Sequence, residues 1–126
     1  MKNSIEALKK KIEEFHYWDA RVVDLKCDYF GDEITLEYKD DGENVIYKFE
    51  GCYKVHFNHS KGYNKLKPVK DMTAAQIPYF LQNVELSVVT DEEIDFFSCK
   101  IEMFPLLLEI LCKTIIVEKG EKFIFQ

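Results

Sequence analysis

One alternating stretch limits what the chain can fold into. Residues 44–58 read N-V-I-Y-K-F-E-G-C-Y-K-V-H-F-N. Val45, Tyr47, Phe49, Gly51, Tyr53, Val55 and Phe57 occupy every second position, and each is apolar or glycine. Lys48, Glu50, Lys54 and His56 lie between them, with Ile46 and Cys52 as apolar exceptions. A period of two sends successive side chains to opposite faces, which predicts a long, half-buried β-strand. Gly51 falls mid-strand, where a missing side chain allows a bend or bulge. Such a strand needs partners for its backbone and a cover for its aromatic face.

The flanking residues supply both. Ile5, Leu8, Ile12 and Phe15 recur at helical spacing near the start, and Asn3 with Glu6 resembles a capping box. This predicts a helix docked on the sheet, with Trp18 buried at the corner where the chain enters it. Residues 21–29 read as a first strand with Val23, Leu25, Cys27 and Tyr29 on one face. Gly31 then permits a tight turn. Ile34, Leu36 and Tyr38 alternate with Glu33, Thr35, Glu37 and Lys39, giving a second strand. Asp41-Gly42 is a strong hairpin signal and leads into the long strand. These three strands form a meander.

Residues 58–71 are polar and lysine-rich, and read as a surface loop. Thr73 and Gln76 repeat the capping-box pattern, and Pro78 halts that helix after about one turn. Residues 79–89 return to strand with Val84, Leu86 and Val88 inward. Phe97, Cys99, Ile101 and Met103 line the next strand, and Pro105 marks an edge, an end or a bulge. Residues 106–117 are apolar on both faces except Glu109, Lys113 and Thr114, and the β-branched run near their end favours a central strand. Lys119-Gly120-Glu121 reads as a turn into a short last strand, residues 123–125. The expected fold is α+β. An N-terminal helix packs on a twisted, mainly antiparallel sheet of six or seven strands, which can curl toward a half-barrel. Residues 1–126 form a single domain in this reading.

Composition excludes several functions. The formal charge is −6, which argues against general affinity for nucleic acid or anionic lipid. Arg21 is the sole arginine, so bidentate phosphate recognition has little to draw on. The first residues are charged and lack the apolar core of a secretory signal, and no apolar run is long enough to span a membrane. The expectation is a cytoplasmic protein. Cys27, Cys52, Cys99 and Cys112 are widely spaced, as for buried thiols in a reducing compartment.

No catalytic motif emerges. His56 and His59 are three apart at a strand end, a spacing that sends them to opposite faces. Cys52 shares a face with His56, but four zinc ligands cannot be assembled nearby. No metal and no cofactor is expected. Lys54, Lys61, Lys65, Lys67 and Lys70 form a basic stretch near Tyr53, Phe57 and Tyr63. Against it stands an acidic hairpin carrying Asp28, Asp32, Glu33, Glu37, Asp40, Asp41 and Glu43. Such a surface is either an ordinary solvated face or one that steers a basic protein partner.

Y-F-G-D-E at residues 29–33, N-V-I-Y-K-F-E-G-C-Y at 44–53, V-K-D-M-T at 69–73 and M-F-P-L at 103–106 together span most of the chain. In these segments it resembles the YxiG-like and related immunity-protein families of bacteria. That resemblance implies a cytoplasmic protein that neutralises a toxin by occluding it; with no catalytic motif and an acidic hairpin, the expectation is a non-enzymatic binder of a basic toxin domain. Asp32, Glu33, Glu37, Asp40 and Asp41 are the candidate contacts. The alternative is a small-ligand binder, with a curved sheet lined by Tyr47, Phe49, Tyr53 and Phe57.

Overall fold

A computed structural model describes residues 2–40, 42–60 and 67–121. The elements are α1 (Lys2–Glu14), β1 (Val22–Asp28), β2 (Glu33–Asp40), β3 (Glu43–His59), β4 (Asn83–Asp91), β5 (Ile94–Met103) and β6 (Leu106–Glu121). The six strands form one antiparallel sheet in the order β1-β2-β3-β6-β5-β4. The sheet does not close, and the fold is α+β with the helix packed on one face.

β3 and β6 are the two longest strands and pair along nearly their whole length, from Glu43–Glu121 to His59–Leu106. β2 pairs with the first half of β3 only, and β5 with the first half of β6 only. The long central pair therefore carries two three-stranded halves, one at each end. Between the halves, Gly51 takes a φ of +62° and the β3–β6 register slips between Cys52 and Lys54. The bend-permitting glycine is thus a β-bulge, with Tyr53 as its extra residue.

The sheet curls far enough for its two edges to meet at one end. Arg21 bridges Phe80, just ahead of β1 and β4. The Val22 amide donates to Tyr79 O at 2.9 Å, and the Leu81 amide to Ala20 O at 2.9 Å. The inner face holds the core. Ile34, Leu36 and Tyr38 of β2 are fully buried, as are Val45, Tyr47 and Phe49 of β3, and Cys99, Ile101, Leu108, Ile110, Cys112 and Val117 join them. Ile5 and Ile12 bury against this face, each worth about 2 kcal/mol by area. Lys11 Nζ donates to Val117 O at 3.2 Å, and Tyr38 Oη to Phe15 O at 2.8 Å, fixing the helix end over the sheet.

Several expectations need correction. α1 begins at Lys2, so Asn3 is inside the helix and not its cap. Trp18 is 70% exposed, because Phe15 and Tyr17 fill the corner instead. A register irregularity between Val22 and Asp24 turns Val22 inward and leaves Val23 and Leu25 half-buried and Cys27 and Tyr29 exposed. The stretch before β4 stays extended without joining the sheet until Asn83, apart from the Phe80 bridge. The short helix after Thr73 is a 3₁₀ turn, Ala74–Gln76, whose Gln76 Oε1 accepts the Thr73 amide at 3.0 Å. β6 continues through Gly120, since Asn44 and Glu43 of β3 are there to pair with it. The strand expected at 123–125 lies outside the described residues.

Candidate protein-interaction surface

The outer face of the first half-sheet is built by register. The β2–β3 hairpin pairs Asp40 with Glu43, and counting back along both strands sets Glu33 opposite Glu50. On the other side of β2, Asp28 stands opposite Glu33. Three carboxylates therefore form one row across β1, β2 and β3, and Asp32 joins at the end of the β1–β2 connection. Partial burial raises the Glu33 pKa from its ordinary value, with further push from Glu50, Asp32 and Asp28. Among the described residues the ion pairs are Lys26–Asp24 at 3.6 Å, Lys48–Glu118 at 3.9 Å and Lys119–Asp40 at 2.9 Å. None of them includes Asp28, Asp32, Glu33 or Glu50.

The candidate acids divide between two places. Asp32 and Glu33 stand together with Asp28 and Glu50. Asp40 lies at the other end of β2, roughly 23 Å away at strand rise, and is held by Lys119. Glu37 is between them, with Oε2 accepting Asn44 Nδ2 at 2.5 Å. Asp41 lies outside the described residues. Glu50 was absent from the sequence-based set, although the hairpin count that places it was available from the Asp41-Gly42 turn.

The connection carrying Asp32 is a 3₁₀ turn, Tyr29–Gly31. Its three residues have φ of 53°, 58° and 92°, all left-handed. The turn is closed by the Asp32 amide on Tyr29 O at 3.1 Å and tied to the β3 bulge by the Cys52 amide on Asp32 O at 3.0 Å. Tyr29 is 73% exposed and Phe30 wholly so. Strand parity groups Tyr29 on one face with Val23, Leu25 and Cys27. The actual strand ends at Asp28, and parity has no force beyond it.

The aromatic set named for a ligand site separates. Tyr47 and Phe49 sit in the packed core. Tyr53 is 65% exposed, with its ring 5.2 Å from Phe96. Phe57 lines a cleft of about 400 Å³ with Val22, Leu25, His59, Tyr79 and Leu106. His59 Nε2 and Tyr79 Oη are 3.2 Å apart at that cleft. His56 is exposed and opposite Glu109 and does not line the cleft; the extra residue Tyr53 leaves it three register positions from Cys52, so the two do not share a face as their spacing suggests. Burial, and then Asp32, push the Cys52 thiol up to about 11, which keeps it protonated and weakly nucleophilic at neutral pH. Among the described residues no three His, Cys, Asp or Glu side chains converge as for a metal, and no helix is long and apolar enough to cross a membrane. Lys54, Lys67 and Lys70 are exposed, while Lys61 and Lys65 lie outside the described residues.

These features define a small α+β protein with an open antiparallel sheet, whose concentrated charge sits on an outward face. The chain belongs to the immunity protein PIM7 family, whose model matches residues 4–119. Membership gives it an immunity-type role and agrees with the immunity-protein side of the resemblance in its sequence segments. A search of curated proteins finds no match to it.

Proposed function

We propose that this protein neutralises a cognate bacterial toxin in the cytoplasm by occluding it, without catalysis. The reading is supported by family membership, and one observation carries the choice of surface. Asp28, Asp32, Glu33 and Glu50 form an outward acidic group that no described lysine or arginine pairs. A basic toxin surface would supply the missing cations, speeding encounter and fixing orientation. Asp32 and Glu33 are the central contacts in this reading. Glu37, Asp40 and Asp41 are peripheral ones, since Asn44 and Lys119 already engage Glu37 and Asp40.

The test is co-expression with candidate toxin domains taken from the genes that flank its own. The native chain restores growth, and the double variant Glu33→Lys, Glu50→Lys does not. Binding of the native chain to the purified toxin domain weakens steeply with salt. Protection equal to wild type by the double variant would remove the acidic face from the proposal.

The small-ligand alternative retains one specific observation, the cleft beside Phe57 and His59. Tyr47, Phe49 and Tyr53 have no part in that cleft, so it is the weaker reading.

A further inference from the structure

The β1–β2 tip combines two features that oppose ordinary folding economy. Left-handed backbone is disfavoured for side chains with a Cβ, yet Tyr29 and Phe30 both adopt it in succession. The rings so placed bury almost nothing, with Tyr29 at 73% and Phe30 at full exposure. Neither the backbone nor the rings serve the core. One hydrogen bond away, across Asp32 O and the Cys52 amide, the Gly51 bulge sets out a third ring, Tyr53. Next to the tip in sequence and strand register stand Asp28, Asp32, Glu33 and Glu50, while the Tyr53 ring lies 5.2 Å from that of Phe96. A single exposed aromatic is unremarkable. Three, at a junction of two strained or bulged segments and beside carboxylates that no described lysine or arginine pairs, have the composition of an interface anchor.

We infer that Tyr29, Phe30 and Tyr53 are the apolar anchors by which this protein grips a basic protein partner, with Asp28, Asp32, Glu33 and Glu50 as the surrounding charged contacts. The inference rests on the toxin-occlusion reading and deepens it, because it moves the binding energy from the acids to the rings. Charge complementarity selects the occupant. Arginine and lysine stems pack on exposed rings while their cationic ends reach nearby carboxylates. A purely apolar partner would leave four carboxylates desolvated without cations, and an acidic one would be repelled. The left-handed tip holds its rings outward before binding, so fewer rotors are frozen on association.

The probe is the purified toxin domain whose toxicity this protein relieves on co-expression, titrated calorimetrically against the full chain. Phe30→Gly and Tyr29→Gly suit the backbone better, so both variants melt at or above the wild-type temperature. Each nevertheless binds at least about 30-fold more weakly, the range of an interface hot spot. Asp71→Ala, an exposed acid on another part of the surface, stays within about threefold of wild type. If the toxin domain binds the native chain but Phe30→Gly, Tyr29→Gly and Tyr53→Ala all stay within about threefold, the anchor assignment is wrong and occlusion by acids survives. If the native chain does not bind the toxin domain at all, both readings fall. Lower melting of the glycine variants would show that the rings serve the fold, and would also overturn the inference.

Discussion

Glu33 and Glu50 face each other directly across β2 and β3, a cross-strand pair of like charge with Asp28 as its third member. Like charges opposite one another destabilise a sheet. The protein keeps them where an oppositely charged neighbour would be easy to supply: one row along, Lys26 and Lys48 flank Thr35.

The pair fixes a pH dependence. The Glu33 pKa is raised in the folded state. The folded state therefore holds the proton more tightly than the unfolded state. Stability from this group is present below the unfolded pKa and is lost as pH rises through the folded one. Glu33→Gln accordingly raises the melting temperature at pH 7, and the gain over wild type shrinks as pH falls through the carboxylate range. A gain that is constant from pH 3 to 8 would mean the repulsion has been misassigned.

Gly51 should tolerate no side chain. Its φ of +62° disfavours any residue with a Cβ, and an added Cβ would lie 3.1 Å from Lys113 Cβ. That neighbour is next to backbone and cannot swing aside. Gly51→Ala should cost about 1–3 kcal/mol in urea unfolding. It should also disturb the bulge that presents Tyr53, so Tyr53 fluorescence quenching and partner binding change together.

The β4–β5 turn is strained in a way that can be relieved. β4 ends at Asp91 and β5 starts at Ile94, leaving Glu92 and Glu93 at φ of 49° and 66°. Two consecutive left-handed residues in a two-residue loop are the type I′ geometry that favours Asn-Gly. Replacing Glu92→Asn and Glu93→Gly together should stabilise the protein by about 1–2 kcal/mol without touching the core. Thermal and urea unfolding would report it, and no gain would argue that the carboxylates themselves contribute at this turn.

Much of the fold was legible because alternation is a strong signal where a strand has one dry face. Ile34, Leu36, Tyr38, Val45, Tyr47 and Phe49 were all placed inward from period alone and all are buried. The hairpin turn then fixed register, and register fixed which acids are neighbours. Legibility failed at discontinuities. The slip at Val22 inverted the first strand's pattern, and the Gly51 bulge carried Tyr53 out of the inward series. Trp18 and Tyr29 were misplaced for a related reason. Size and hydrophobicity argue for burial, but both residues follow the end of a regular element, where the chain direction is set by a turn. The acids of the candidate surface were visible in composition. Their division into a row at one end and a Lys119-held residue at the other was not, because it depends on β6 pairing with β3 across more than sixty residues of sequence.

Tyr38 and Tyr47, two of the buried tyrosines of the core, should respond oppositely to loss of their hydroxyls. Their rings meet edge to face at 5.6 Å. Tyr38 donates to Phe15 O, so Tyr38→Phe deletes a bond that ties the end of α1 to β2 and should cost about 1 kcal/mol. The Tyr47 hydroxyl is buried without a hydrogen-bond partner among the described residues. Tyr38 is the neighbouring hydroxyl and raises its pKa, but Tyr38 spends its proton on Phe15 O and leaves the Tyr47 hydroxyl unpartnered. Tyr47→Phe should therefore be neutral or stabilising, by up to about 1 kcal/mol. Alkaline titration gives an independent check. Burial pushes Tyr38 up to about 12 and Tyr47 further. Both groups favour the neutral form when folded, so their stability contribution is intact below the ordinary phenol range and declines as pH rises through it. Phenolate absorbance from these two residues should appear together with loss of the folded circular dichroism signal. Two phenols ionising well before that loss would show that the Tyr38–Tyr47 contact is open to water.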